Sequence, residues 1–313
     1  MNKFAKYSIL LGLALIFISV IFSIRNLDRL WDSFNNNSEY TRSEFIATEP
    51  ISSIFVDTRN MRVDIRAYDG ENIKVTYSQN DRSPITITEN NGNLSLIREN
   101  TRPRVQFFTI NFNFRSPEII IYVPEDLVIE YNVATSNARI TVNNIGMLES
   151  TFRTTNSSVS INNIITDYPL EVRSSNGRIY LNNVDGYRVS ATTSNSRINA
   201  ERVLTYEIRL ASSNGYINAR DIESETVDFT TSNSRINLDN LQARNIDLRT
   251  SNGRIEGTIV GDQEDFRRDM RTSNGRININ GNNHGTVVND HDTTREYSIR
   301  AHTSNGRIDL TFR

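Results

Sequence analysis

After about residue 40 the chain alternates apolar and polar residues almost without interruption, and the alternation keeps a fixed phase against one short marker. That marker is TSNGRI or a near copy, spelled nine times, with its asparagine at Asn137, Asn156, Asn176, Asn195, Asn214, Asn233, Asn252, Asn274 and Asn305. Successive spacings are 19, 20, 19, 19, 19, 19, 22 and 31 residues. Three positions after each asparagine stands an isoleucine or valine, from Ile140 to Ile308, and two further on comes a second apolar row such as Val142, Leu181 and Ala200. Four positions before it runs another apolar row, including Val133, Phe152 and Leu248, with Thr or Ser two before. A step of two on both flanks predicts strands with one buried face. A further row eight after the asparagine, Ile145 to Leu241, follows a polar pair such as Asn182 and Asn183 that marks a second corner.

A period in this range signals repeat units that bury a core only by stacking. Two architectures fit. In an antiparallel array each Asn-Gly makes a two-residue hairpin turn. At Asn195-Ser196, Asn233-Ser234 and Asn137-Ala138 that reading needs a positive φ without glycine. In a parallel β-solenoid each unit is one coil, like stacks on like, and the nine asparagines form a side-chain ladder as in other stacked parallel strands. The pattern favours an all-β, parallel β-solenoid of about nine 19-residue coils over 131–313, with the last copy, TSNGRIDLTFR, at an open edge that the insertion 281–296 covers.

Upstream, 42–130 reads as a leading region of non-repeat β-strands. IFVD, MRVDIRAY and NIKVTY alternate, ITITENNGNLSLI reads as a hairpin turning at Asn91 and Gly92, and Pro124 marks a corner. The rings of Phe107, Phe108, Phe112 and Phe114 read as core. Residues 1–25 read as one N-terminal transmembrane helix with a short cytoplasmic tail. Tyr7 to Ile24 carries no charge across 18 residues, a reach of roughly 27 Å as a helix. Lys3 and Lys6 hold the tail inside, which places the bulk outside the cytoplasm as a single-pass cell-membrane protein. Cleavage as a signal peptide would make it secreted instead. Residues 26–41 form a juxtamembrane linker with Trp31 near the headgroups.

Composition narrows function more than fold. With 35 basic and 37 acidic residues the net charge is -2, which argues against nucleic acid as a partner. No cysteine is present, so disulfides, thiolate zinc sites and a cysteine nucleophile are excluded. The ligand-facing candidate is an arginine row two after the asparagine: Arg139, Arg178, Arg197, Arg235, Arg254, Arg276 and Arg307, interrupted by Ser158 and Tyr216. Such a stripe suits an anionic wall polymer, a surface polysaccharide or lipid headgroups. Equally, it is a solvated face offset by acids such as Glu171, Asp228, Asp247 and Asp269. His284 and His291 with Asp290 and Asp292 match no strong metal-ligand spacing and read as a solvated loop. Neither catalytic residues nor a cofactor or metal site is expected.

The segment IIIYVPEDLVIEYNVATSNARITV, Ile119 to Val142, followed by the TSNGRI copies, resembles the putative-adhesin family of β-strand-repeat proteins, domain of unknown function 4097. The resemblance covers nearly all of the extracytoplasmic part. It implies a β-solenoid in a bacterial envelope protein, often membrane-anchored and in some cases linked to envelope stress, with no catalytic residues to carry over. The leading expectation is therefore a membrane-tethered, non-catalytic adhesin-like binding or scaffold protein. The alternatives are an accessory or sensor subunit that contacts a membrane protein partner, and, less favoured because its acids scatter across rows, a polysaccharide-acting β-helix enzyme.

Overall fold

The structure, a computed structural model, describes residues 40–80, 84–98, 117–290, 292 and 294–313. The expected anchor, nearly all of the linker and the four phenylalanines between 107 and 114 lie outside the described residues. No helix among the described residues is long and apolar enough to cross a membrane.

Seven strands lead in: β1 (Thr41–Ile46), β2 (Ser53–Asp57), β3 (Arg62–Tyr68), β4 (Lys74–Gln79), β5 (Ile85–Asn90), β6 (Asn93–Arg98) and β7 (Glu118–Pro124). The β5–β6 hairpin turns where the sequence places it, with Asn91 at φ 50° and Gly92 at φ 77°. These left-handed angles are those of a primed turn. Next come β8 (Ile129–Thr135), β9 (Ile140–Asn143) and β10 (Met147–Thr154). The long strands are β11 (Val159–Ser174), β12 (Ile179–Thr193), β13 (Ile198–Ser212), β14 (Ile217–Thr231) and β15 (Ile236–Thr250).

Consecutive long strands pair in parallel, each residue on its equivalent one repeat away, so the solenoid and not the hairpin array is observed. The pairing falls into three runs per coil, for example Ile179–Asn182, Val184–Gly186 and Arg188–Thr193 against the next coil. A left-handed residue makes the break between the first and second runs: Asn163, Asn183, Arg202, Asp221 or Asn240, with φ between 49° and 63°. Each coil therefore has three sides, taken here in chain order after the TSNGRI corner.

Both apolar rows next to the corner point inward. The isoleucine row and the row four before the asparagine are fully buried from end to end. Each large side chain removed from water stabilises by about 2 kcal/mol. Row partners complement one another in size: Ala200 and Ala219 share their coils with Leu210 and Phe229. At the corner, the buried Thr or Ser donates to the neighbouring coil, as Thr193 Oγ1 does to the Gly177 carbonyl at 3.0 Å. Where the motif has glycine the same hydroxyl accepts a backbone N–H, as Ser212 does from Gly215. The motif's glycine is not at positive φ. A Cβ on Gly215 would lie 1.6 Å from the Ser196 carbonyl oxygen, so glycine is there for close stacking.

The C-terminal end departs from expectation. It contains β16 (Ile255–Ile259), β17 (Phe266–Thr272), β18 (Ile277–Ile279), β19 (Asn282–Asn283), β20 (Val287–Asn289), β21 (Tyr297–Thr303) and β22 (Ile308–Phe312). β21 lies between β15 and β17, and β22 between β16 and β18, all parallel. The last copy of the motif is thus slotted between the two before it, and the Asn274 coil is outermost. Irregular backbone in this stretch accompanies the rearrangement. Gly257 and Gly261 have φ of 140° and 121°, the β15–β16 register shifts, and a 3-10 turn occupies Gln263–Asp265. The 281–296 insertion does line the open edge, but of the Asn274 coil: β19 and β20 pair antiparallel with β18 and β17. At the other end β2 and β3 form a further coil beneath β8 and β9, closed off by antiparallel β4 on β7 and β1 on β4.

Candidate ligand-facing site

The corner asparagines stand in one exposed column. Asn156 Nδ2 donates to Asn137 Oδ1 at 2.6 Å, and the same bond repeats through Asn176, Asn195, Asn214, Asn233 and Asn252 at 2.6 to 2.8 Å. From Asn252 the ladder passes to Asn305 and only then to Asn274, in keeping with the slotted last coil. At the lower end Asn137 donates to Asn60 at 2.7 Å, a rung that sequence reasoning missed. The signal was present in TRNMRVDI, Thr58 to Ile65, which matches the motif at Thr, Asn and Arg and puts Val63 in the isoleucine row. Arg59 and Met61, in place of Ser and Gly, hid it.

Beside this column, on the first side, the arginine row faces outward, and its partners divide it into zones. At the lower end Arg62 pairs with Glu118 at 3.2 Å. At the upper end Arg254 pairs with Glu256 at 3.3 Å and Arg307 with Asp309 at 2.6 Å, while Arg276, on the outermost coil, is exposed with no acid within ion-pair distance among the described residues. Between them, Arg139, Arg178, Arg197 and Arg235 have no acid within ion-pair distance among the described residues. Their partners are neutral. Arg139 Nε donates to Ser158 Oγ at 3.1 Å, and Arg197 reaches the hydroxyls of Tyr216 at 2.9 Å and Tyr180 at 3.4 Å. Arg197 and Arg235 lie over the Tyr216 ring from either side, 5.8 and 5.1 Å from its centre. Hydrogen bonding to Arg197 is the main reason that the Tyr180 phenol titrates below its ordinary range, ahead of burial, which raises it, and of Arg178, which lowers it further.

The acids expected to offset this row do not touch it. Glu171, Asp247 and Asp269 sit on the third side, paired with Arg173, Arg249 and Arg271, and Asp228 faces Arg209 there. Their own arginines, two residues away on the same strand or one coil away, are nearer than the first side. The balanced total charge therefore conceals an unbalanced side.

Ser158 and Ser160 stand where neighbouring coils carry Arg and Tyr, and the shortfall in side-chain volume opens a groove of about 940 Å³. Arg139 and Arg178 flank it, two coils apart, at roughly 9.6 Å for coils spaced about 4.8 Å. Hydroxyls of Thr141, Ser158 and Ser160 and amides of Asn156 and Asn162 line the floor. Guanidiniums favour carboxylate and phosphate, where paired N–H donors match the oxygens.

The second side is different, and sequence reasoning passed over it. Ile165 is 70% exposed, and Tyr168, Tyr187, Leu204 and Tyr206 are each about half exposed. They belong to the outward rows beside the buried Ile164, Val184 and Val203, so periodicity alone marks them polar. In the 281–296 loop, Asp290 binds Arg295 at 2.5 Å and Arg268 at 3.6 Å, and Asp292 caps Thr294, so these carboxylates are engaged by the chain itself. His284 is exposed, and His291 lies outside the described residues.

The family model described as Toastrack DUF4097 matches residues 51–311. Among solved structures the chain is similar to a putative adhesin from Parabacteroides merdae, at 13% identity and a TM-score of 0.50, across 88% of this chain and 97% of that one. A putative adhesin from Parabacteroides distasonis shares 12% identity at a TM-score of 0.49, over 88% and 98% of the two chains. A protein from the same species described as a putative lipid binding protein gives 12% identity and a TM-score of 0.34 over the same shares. No curated protein matches the chain. At 13% identity the likeness to the Parabacteroides merdae protein is one of fold.

Proposed function

We propose that this chain, which belongs to the Toastrack DUF4097 family, is a non-enzymatic protein of the cell envelope whose first side binds an anionic, repetitive polymer outside the membrane. The apolar segment Tyr7 to Ile24 tethers it there as a single-pass anchor with its amino terminus in the cytoplasm. One observation carries the reading: Arg139, Arg178, Arg197 and Arg235 are held by hydroxyls and an aromatic ring instead of by acids. An arginine already paired with a carboxylate must break that pair to take a ligand, whereas these four keep donors free at axial steps of one or two coils. A polymer with a phosphate or carboxylate on each unit meets several of them at once, and weak contacts then add.

The test uses the purified full chain in detergent on immobilised poly(glycerol phosphate), with neutral dextran as the control. Expected is retention on the phosphate polymer at about 50 mM salt and release by about 0.5 M, because exposed charge pairs are screened over that range. Passage through both columns, or equal retention on dextran, overturns the reading.

A further inference from the structure

Within the same stack of coils that carries the uncompensated arginines, the second side carries uncompensated acids. Asp167, Asp185 and Glu223 have no cationic partner within ion-pair distance among the described residues, and each lines a groove on that side. The unpaired charges are therefore split across the section, cations on the first side and anions on the second, while Glu201, Arg202 and Arg244 on these sides are paired, although the formal charge is only -2. The acids stand around the exposed side chains of Ile165, Leu204 and Tyr206, giving an apolar centre with an acidic rim. That is the anatomy of a protein-binding surface. Its tyrosines are engaged with the chain itself: Tyr187 and Tyr206 stack on each other with centres 5.6 Å apart, and the Arg188 guanidinium lies over the Tyr187 ring at 5.6 Å.

The order of residues along the axis names the partner. Going up the solenoid one coil at a time, one row of the second side presents Ile165, Asp185, Leu204 and Glu223, with Asp167 two residues on from Ile165 and outside that row. The first side, beginning one coil higher, presents Arg178, Arg197, Tyr216 and Arg235. From Asp185 on the second side and from Arg197 on the first, both columns read charge, apolar, charge over three coils, with opposite signs and the same rise of about 4.8 Å per coil. We infer that the second side of one copy docks on the first side of another, the two axes parallel and offset by one coil. Asp185 then meets Arg197, Leu204 meets Tyr216 and Glu223 meets Arg235. The three-coil pattern reads the same in both directions, so the parallel arrangement rests on the membrane anchor of the preceding reading, which sets all copies upright in one membrane. Docking second side on second side would set acid against acid. The contact is heterologous and leaves each copy with one free side of each kind, so it builds rows instead of closed dimers.

The experiment is sedimentation of the full chain in lipid nanodiscs holding one chain each, over a concentration series at low and high salt. Two charge-reversed variants accompany the wild type: Asp185→Arg with Glu223→Arg, and Arg197→Asp with Arg235→Asp. Expected is concentration-dependent association of the wild type that weakens with salt, and a loss of about tenfold or more in association constant for either variant alone. Mixing the two variants should restore association, because each reversed side then meets a complementary one. This recovery also excludes misfolding as the cause of the loss. A wild type that stays monomeric at every concentration, association that neither variant weakens, or variants that fail to recover on mixing would each overturn the inference. Polymer retention separates this outcome from the preceding reading, since Asp185→Arg with Glu223→Arg leaves the first side intact.

Discussion

The coils from Asn137 to Asn233 and those of Asn252, Asn305 and Asn274 are built from one hexapeptide, yet they differ in two respects. In the first group each coil stacks on the one before it in sequence; in the second the last copy is slotted between its predecessors. In the first group the arginine row rests on Ser158, Tyr180 and Tyr216; in the second Arg254 and Arg307 rest on Glu256 and Asp309. The motif therefore sets what a corner is, and the residues between motifs set which coil is its neighbour and what its outer side can bind. Every copy offers the same asparagine, a β-branched Ile or Val and a hydroxyl to the coil above, so the motif by itself does not distinguish one neighbour from another. Order comes from connection length and from contacts made once, such as Ser298 with Asn245, or Phe266 between Tyr297 and Phe312.

The largest expected effect breaks the second region. Removing residues 297–313 takes out Ile299, Ala301, Ile308 and Leu310, all buried, and leaves β15–β16 and β17–β18 as two unpaired edges. Limited proteolysis with mass spectrometry should find new cuts between 262 and 295 while the Asn137 to Asn233 coils stay protected. Continued protection of 262–295 would mean that the two groups can close up without the last coil. Next in size, Ile217→Ala in the regular stack should lower stability by about 2 to 5 kcal/mol, read from denaturant unfolding, because a fully buried side chain leaves a cavity. Gly215→Ala should cost about 1 to 3 kcal/mol by forcing a methyl against the Ser196 carbonyl, whereas Ser196→Ala, at the equivalent place one coil below, should cost less than about 1 kcal/mol.

The smallest effect is a pH dependence confined to the C-terminal region. Burial alone would raise the Asp269 carboxyl, but His302, 3.3 Å away, and the hydrogen bond from Arg271 outweigh it and hold the group below the ordinary carboxylate range. A depressed carboxylate contributes stability above its unfolded value and loses it as the pH falls through the folded one. Asp269→Asn should therefore lower stability slightly at neutral pH and flatten the acid limb of thermal unfolding below about pH 4, where the wild type has lost the same contribution. An acid limb identical to that of the wild type would remove Asp269 from the account of this region.

The fold was legible in the sequence because a period of 19 or 20 repeats a two-residue alternation in phase, and only stacked parallel coils keep like residues together over that distance. The Asn91-Gly92 turn was legible for a local reason, since few other pairs take two left-handed residues in succession. Asn60 was not, because its corner keeps the asparagine while losing the flanking serine and glycine. Nor was the order of the last coils, because identical corners carry no address. The candidate site was half legible. Spacing places the arginines on one side, but which of them face an acid depends on the outward residue two positions on, and Tyr180 differs there from Glu256 and Asp309. The exposed Ile165 and Leu204 escaped because an apolar residue in an outward row looks like noise until its neighbours are seen.

The most direct measurement compares two double variants on poly(glycerol phosphate) across a salt series: Arg178→Gln with Arg197→Gln, and Arg254→Gln with Arg307→Gln. Each removes two charges from the same row, so total charge is matched. Expected is that the first pair abolishes retention or lowers its salt slope by about two units, while the second elutes close to the wild type. Equal losses from both pairs, or a loss from the second alone, would contradict the claim that freedom from acidic partners, and not the arginine row as a whole, defines the binding side.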